Sequence, residues 1–225
     1  VLWTGSGCHA AGTNIRMFDG TLKKVEDITI GDKLMGDDFK PRLVKNLYRG
    51  NDDMYHVNQT NGITYTVNGP HRLALKFNGE TEVTFNEKKQ RYEIVWYEYN
   101  DVTGIIRRKN FFKLHEEVLA FRDTLKDNEN RIPFDHTCVM TVKGYLALPS
   151  NIKPLLLGYK AEYVDDTTVK YIRYPISFEY AGKDEYYGFE TSDNQRYLLE
   201  DYTVTCNSNG KSKTVELFQL AFGDY

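Results

Sequence analysis

Thr205-Cys206-Asn207-Ser208-Asn209-Gly210-Lys211-Ser212 contains Gly-Lys-Ser, the tail of a phosphate-binding P-loop. That motif needs a second glycine five residues before Gly210, where the backbone turns tightly and aims its N–H groups at phosphate. Thr205 holds that position, so the loop is incomplete. Its missing half stands at the other end of the chain, in Val1-Leu2-Trp3-Thr4-Gly5-Ser6-Gly7. Joining Gly7 to Ser208 gives VLWTGSG–SNGKSKT. Gly5, four residues and then Gly210-Lys211-Ser212 make a complete GxxxxGKS after an apolar, strand-like start. One motif is thus split by everything from Cys8 to Asn207. The interruption opens on a Cys and closes on an Asn that precedes a Ser.

The chain has 225 residues, enough for one domain or a domain with an appendage. An apolar fraction of 40% supplies a core, and 17 Tyr among many Val, Ile and Thr favour β structure. A net charge of −3 leaves no electrostatic footprint for nucleic acid. Three Cys, a small odd number, argue against a disulfide-stapled secreted scaffold. An intracellular, reducing compartment, cytoplasm or nucleus, is expected. No apolar run approaches the roughly 20 residues of a membrane span, and Val1 to Gly7 is too short for a signal peptide.

Short strand-like pieces with Gly, Asp and Asn punctuation fill the first third. They are Asn14–Phe18, Leu22–Val25, Ile28–Ile30, Lys33–Met35, Leu43–Leu47, Met54–Val57, Ile63–Val67 and Arg72–Phe77. Asn61-Gly62 signals a hairpin, and Gly50-Asn51-Asp52-Asp53 reads as a break between strands. Arg91–Tyr99 is strand-like. Phe111–Leu125 is the best helix candidate from its apolar spacing. Val142–Leu148 and Asn151–Leu157 read as helical turns, the second stopped by Gly158. Strands resume at Val169–Arg173, Ile176–Tyr180, Tyr186–Glu190, Tyr197–Leu199 and Tyr202–Thr205. The pattern predicts an all-β architecture with a small helical insertion.

Cys8 follows Gly7, whose carbonyl is unhindered. A thiolate is a strong nucleophile and its free pKa of about 8.5 is within reach of neutral pH. Attack on that carbonyl turns the Gly7–Cys8 amide into a thioester. The Asn207 side-chain amide can attack its own backbone carbonyl and cleave the bond that follows. The Ser208 hydroxyl can accept an acyl group. His71, in Val67-Asn68-Gly69-Pro70-His71, can polarise the scissile peptide and protonate its departing nitrogen. Each residue alone has an ordinary reading: a buried hydrophobe, a turn Asn, a satisfied His. Their combination does not.

Those residues resemble an intein, a protein-splicing element of the Hedgehog/intein (Hint) fold, over nearly all of Cys8 to Asn207. Cys8 to Gly20, Val25-Glu26-Asp27-Ile28 and Gly31-Asp32-Lys33-Leu34-Met35-Gly36 are similar to the N-terminal block. Tyr65 to Leu75 resembles the block with the catalytic His. Val142 to Pro149 with Leu157 to Lys160 is like a segment of inteins of nuclear and viral origin. Tyr187 to Glu190 and Arg196 to Thr205 resemble the two C-terminal blocks. The resemblance implies a horseshoe-like all-β fold with a pseudo-twofold that brings both ends into one cleft. It also implies single-turnover, cofactor-free and metal-free self-splicing that acts in cis. Cys8, His71, Asn207 and Ser208 would carry the chemistry, and Gly7 and Ser208 would be joined.

This chain departs from the family pattern in four places. Asn68 stands where a Thr usually precedes the His, with Thr66 upstream. Gly188 stands where an Asp is common. Gln195 and Arg196 occupy the neighbourhood of a second His, and Arg196 is a candidate cationic donor. Cys206 replaces the penultimate His that helps Asn cyclise; a thiol is a poor hydrogen-bond donor, so slow C-terminal cleavage is expected. Cys206 also raises the question of a disulfide with Cys8.

The expected organisation is 1–7 as upstream host remnant, 8–207 as splicing domain with an insertion at roughly 85–165, and 208–225 as downstream remnant. No paired acidic motif of a homing endonuclease occurs; Glu116-Glu117 reads as a solvated helix face. The joined flanks resemble a viral primase-helicase, a host that would bind ATP, Mg and nucleic acid. The intein itself is expected to be monomeric. A Hedgehog-type cleavage domain, a splicing-dead β module and a fragment of an ATP-binding protein are the alternatives.

Overall fold

The computed structural model describes residues 7–207. It opens with four short strands, β1 (His9–Ala10), β2 (Asn14–Arg16), β3 (Leu22–Lys24) and β4 (Lys33–Met35). Between them the chain reverses at Gly12, Gly20 and Gly31, whose φ values of +81°, +89° and +94° suit residues without a Cβ. Then follow β5 (Pro41–Gln59), β6 (Tyr65–Asn68), β7 (Arg72–Phe77), β8 (Glu82–Asn86), β9 (Arg91–Asn100) and β10 (Gly104–Phe112). Helix α1 (His115–Thr124) precedes β11 (Thr137–Thr141) and the short α2 (Val142–Leu146). The chain finishes with β12 (Leu156–Asp165), β13 (Thr168–Tyr174), β14 (Ile176–Thr191), β15 (Arg196–Leu198) and β16 (Val204–Cys206).

Two sheets make the body. One has the order β14-β1-β6-β5-β4, with β14 also paired directly to β5; the other runs β13-β12-β7-β16-β15, with β11 beside β7. Ile15, Leu34, Val57, Val67, Phe77, Phe189, Tyr197 and Leu199 share one buried cluster between them. The all-β expectation holds.

The long strands were not legible as such. The pieces expected at Leu43–Leu47 and Met54–Val57 are both parts of β5, and Ile176–Tyr180 and Tyr186–Glu190 are both parts of β14. Gly50, Asn51, Asp52 and Asp53 do not break the strand but pair with Tyr186, Glu185, Asp184 and Lys183. The two strands form an antiparallel ribbon, so polar residues sit there without loss. Gly50 gives the Tyr186 ring its place, since a Cβ would overlap the phenol. Ile28–Ile30 is not a strand.

The expected helix is shorter than its apolar pattern. Phe111 and Phe112 belong to β10, opposite Glu93 and Tyr92. Phe112 still packs on Phe121, at 5.2 Å between ring centres. A strand residue and a helix residue thus fill one cluster and imitate one helical face. Asn151–Leu157 holds only a single turn, Lys153–Leu155, before β12 starts. Gly158 continues that strand, with Ile176 and Tyr174 lying where a side chain would be.

The separate unit is smaller than 85–165. Strands β8, β9 and β10 form their own sheet, covered by α1 over Ile94, Trp96, Val118 and Leu125. Strands β11 and β12 both pair with β7 and are parts of the body. Phe77 joins the two. Its N–H donates to His136, its carbonyl accepts from Asp135, and its ring meets Tyr97 at 5.3 Å. Phe77→Ala is therefore expected to cost about 3–5 kcal/mol, measured as a fall in the urea midpoint.

Candidate functional site

The site is built from strand ends. β6 ends at Asn68, and a tight turn closed by His71 N–H to Asn68 O (3.1 Å) leads into β7. β1 lies between β14 and β6, which delivers the preceding residue, Cys8, onto this turn. Asn68 grips Cys8 twice. Its side-chain Oδ1 accepts from Cys8 N–H at 2.8 Å, and its own N–H donates to the Cys8 carbonyl at 3.0 Å. Its Nδ2 donates to Asp52 at 3.4 Å, which orients the amide so that the oxygen faces Cys8.

Gly7 rests on the same turn. A Cβ there would lie 2.6 Å from His71 Cα and 3.2 Å from Arg72 N, so only glycine allows this approach. On the other side, a Cβ at Gly188 would overlap Cys8 Sγ. The thiol occupies the space that a side chain at 188 would claim. Where the family pattern suggests an Asp, this chain has a glycine and leaves room for the Cys8 thiol.

His71 is fully buried, and its Nε2 is 2.7 Å from Thr205 Oγ1. His9 is also buried; its Nε2 is 2.6 Å from the Tyr197 hydroxyl, and its ring meets His71 edge-on at 4.7 Å. Burial drives the pKa of both imidazoles down, His9 to about 3 and His71 well below its usual value, with the neighbouring His9 adding to the effect at His71. Both are neutral at pH 7. The neutral His71 ring carries one proton, and its Nε2 shares a hydrogen bond with the Thr205 hydroxyl.

The other end of the chain arrives beside them. β16 pairs with β7 through Cys206 and Arg72, and with β15 through Thr205 and Tyr197. Asn207 is buried, its N–H donating to Gln195 O at 3.0 Å. The Cys206 thiol donates to the Asn207 carbonyl at 3.4 Å. All three cysteines are free and buried. Cys138 bonds the Tyr99 hydroxyl, and burial pushes its pKa up to about 11, so it stays a thiol.

Cys8, Asn68, His71, Cys206 and Asn207 thus lie at strand ends joined by direct pairing. Thr66 lies further back on β6, with its hydroxyl 2.8 Å from His56 Nδ1. The Arg196 guanidinium reaches Asp37 at 3.6 Å, in a buried group with Arg42. Ser208, Gly5, Gly210, Lys211 and Ser212 lie outside the described residues. His9, Thr205 and Tyr197 were not singled out in the sequence; β1 pairing with β6, β16 with β7 and β15 with β16 bring them to His71. Among the described residues no group of three or more His, Cys, Asp or Glu is arranged to hold a metal ion.

The model of the Hom_end-associated Hint family matches residues 8–206. The catalytic subunit of the V-type proton ATPase from Candida tropicalis is 39% identical over 87 residues, 34% of this chain and 8% of that protein. This chain therefore spans a small part of that relative. A mutant of the Ssp DnaB mini-intein superposes with a TM-score of 0.52 at 8% identity, over 94% of this chain and 98% of that one. The gp41-1 intein gives 0.46 at 14% identity, over 90% and 100%. At these identities the superpositions concern the fold alone.

Two outcomes follow from the site's packing. His9 and His71 are neutral when folded and take up protons once unfolded. Below their ordinary pKa of about 6.5 the unfolded chain binds more protons, so stability falls as pH falls. Each contributes up to about 1.4 kcal/mol per pH unit, to be seen as a drop in the urea midpoint between pH 6.5 and 5. Gly188→Ala must displace the Cys8 thiol, and cleavage at Gly7–Cys8 induced by added thiol is expected to slow by roughly 10²-fold, the size of effect that a misplaced reacting group produces.

Proposed function

This chain belongs to the Hom_end-associated Hint family; it performs autocatalytic protein splicing, and we propose the residues and junctions that it uses. Cys8 Sγ attacks the Gly7 carbonyl, and the Gly7–Cys8 amide becomes a thioester with a free Cys8 amine. His71 relays the thiol proton to that departing nitrogen. A neutral imidazole suits a relay, because it accepts at one nitrogen and donates from the other. The Ser208 hydroxyl then takes the acyl group from Cys8 and releases the thiol. Asn207 Nδ2 attacks its own carbonyl, forming a succinimide and breaking the bond to Ser208. The freed Ser208 amine displaces its own ester, leaving a Gly7–Ser208 peptide.

The observation that carries this reading is the double grip of Asn68 on Cys8 while Gly7 lies against the His71 turn. The scissile amide is held in a buried place, with the thiol on one side and an imidazole-bearing turn on the other. Water exclusion strengthens the hydrogen bonds that hold it.

Residues 8–207 leave, and 1–7 and 208–225 remain with the host. Joining them restores GxxxxGKS, so the host is an ATP- and Mg-binding protein of the primase-helicase kind that works on nucleic acid. Until Gly7 meets Ser208 it has half a phosphate cradle and no ATPase activity. The curated relative is itself named as part of an ATPase. The intein acts in cis as a monomer, in a reducing intracellular compartment.

Cys206 makes Asn207 cyclisation the slow step. Its thiol is placed at the carbonyl where negative charge develops, but it is a weak donor. Replacing a weak donor at such a position by a strong one is worth about 10²–10³-fold. Cys206→His is therefore expected to accelerate cleavage after Asn207 by up to that factor, and Cys206→Ala to slow it further. Intact mass after expression with longer flanks reads both. A joined flank product and a species spanning Cys8 to Asn207 support splicing; a stable precursor counts against it. Cys8→Ala should abolish cleavage before residue 8, and Asn207→Ala cleavage after residue 207.

A further inference from the structure

His71, Thr205, Tyr197 and His9 are buried and linked in turn, three links through side chains and one through backbone pairing. His71 Nε2 meets Thr205 Oγ1 at 2.7 Å. Thr205 pairs across the β15–β16 ladder with Tyr197. The Tyr197 hydroxyl meets His9 Nε2 at 2.6 Å, and His9 returns to His71 at 4.7 Å between ring centres. Cys8 directly precedes His9 and Asn207 stands two residues after Thr205, so each proposed junction lies beside one member of this group. The splicing steps above give His9 and Tyr197 no part.

We propose that Tyr197 is a positioning residue for splicing: its hydroxyl holds the His9 ring edge against His71 and ties the N-terminal junction to the hairpin that ends at Asn207. This deepens the splicing reading and rests on it. The phenol, the stronger acid of the pair, donates to His9 Nε2. That fixes one tautomer, with the His9 proton on Nδ1, an atom that has no partner among the described residues.

A polar pair at this depth needs a reason. Two apolar rings of the same shape would fill the space without a hydrogen bond, and replacing both partners of a buried pair is often nearly neutral for stability. Tyr197 already packs as a ring, 4.9 Å from Phe189. Its hydroxyl is the part left to explain. The titratable groups around the pair are His71, Tyr65, Cys8 and Cys206. Tyr65 lies 6.2 Å from His9 between ring centres, and both cysteines act electrostatically on Tyr197. Any of them would be perturbed by a charge on His9. Donation from the phenol to Nε2 favours the neutral ring and opposes that charge, which burial also disfavours.

The test uses the full chain with longer flanks and compares wild type with Tyr197→Phe, His9→Phe and the double variant. Thiol-induced cleavage before Cys8 and spontaneous cleavage after Asn207 are followed from pH 5 to 8. The proposal expects Tyr197→Phe to slow the first cleavage about tenfold, the scale of one lost buried hydrogen bond. The double variant should be no slower than either single one, as the two residues act as a unit. Tyr197→Phe with wild-type rates would overturn the proposal, and so would a double variant slowed by the product of the singles. If the variants fold poorly, side-chain 15N spectra of wild type decide it: His9 protonated on Nδ1 supports the proposal, and on Nε2 overturns it. A wild-type chain that cleaves at neither junction sinks the splicing reading itself.

Discussion

The grip of Asn68 on Cys8 is the contact on which the rest of the site depends. One residue satisfies both backbone groups of the nucleophile, with a main-chain N–H on the carbonyl and a side-chain oxygen on the amide N–H. Neither group faces water, so each needs a partner. Asn68 has the right face forward because Asp52 holds its Nδ2. Asp52 in turn is placed by the ribbon of β5 and β14. A long strand that looks like two short ones is therefore part of the site's foundation.

Electrostatics inside this site differ from those of a solvated one. Two imidazoles stand edge to edge, and burial keeps both neutral. Proton relay suits neutral rings; a standing imidazolium would repel its neighbour. The same burial keeps Tyr197 a phenol, its pKa pushed well above the ordinary value. These buried groups are therefore uncharged at rest at neutral pH.

Much of this was visible in the residues. Cys8, Asn207 and the split P-loop stand out as the proposed junctions without reference to any fold, because they are read from residue type and order alone. Asn68 and His71 were reachable through their block, and Gly188 as an unexpected glycine. His9, Thr205 and Tyr197 were not. Their spacing follows no catalytic pattern, and each would pass for a strand residue. Gly50 to Asp53 misled for a related reason: polar turn-forming residues also suit a solvated two-stranded ribbon, and composition does not distinguish the two. Phe111 and Phe112 misled because strand and helix residues that share a cluster imitate helical periodicity.

The sequence by itself supplied the proposed ends of the reaction: the candidate peptide bonds, the atoms proposed to attack them, and the motif that the flanks spell when joined. It also set the all-β class, through its Tyr, Val, Ile and Thr content and its glycine turns. Only the tertiary structure decided how the two junctions meet. That required β16 to pair with β7 at Arg72 and Cys206, and β1 to slot between β14 and β6. Such pairings join residues far apart in the chain, His9 with Val67 and Tyr187 and Arg72 with Cys206, and strand register is set by which faces are buried together, a property of the assembled sheets rather than of any local stretch. For the same reason the thiol of Cys206 stands at the Asn207 carbonyl: sequence places the residue next to it, but the buried strand end turns the sulfur toward it.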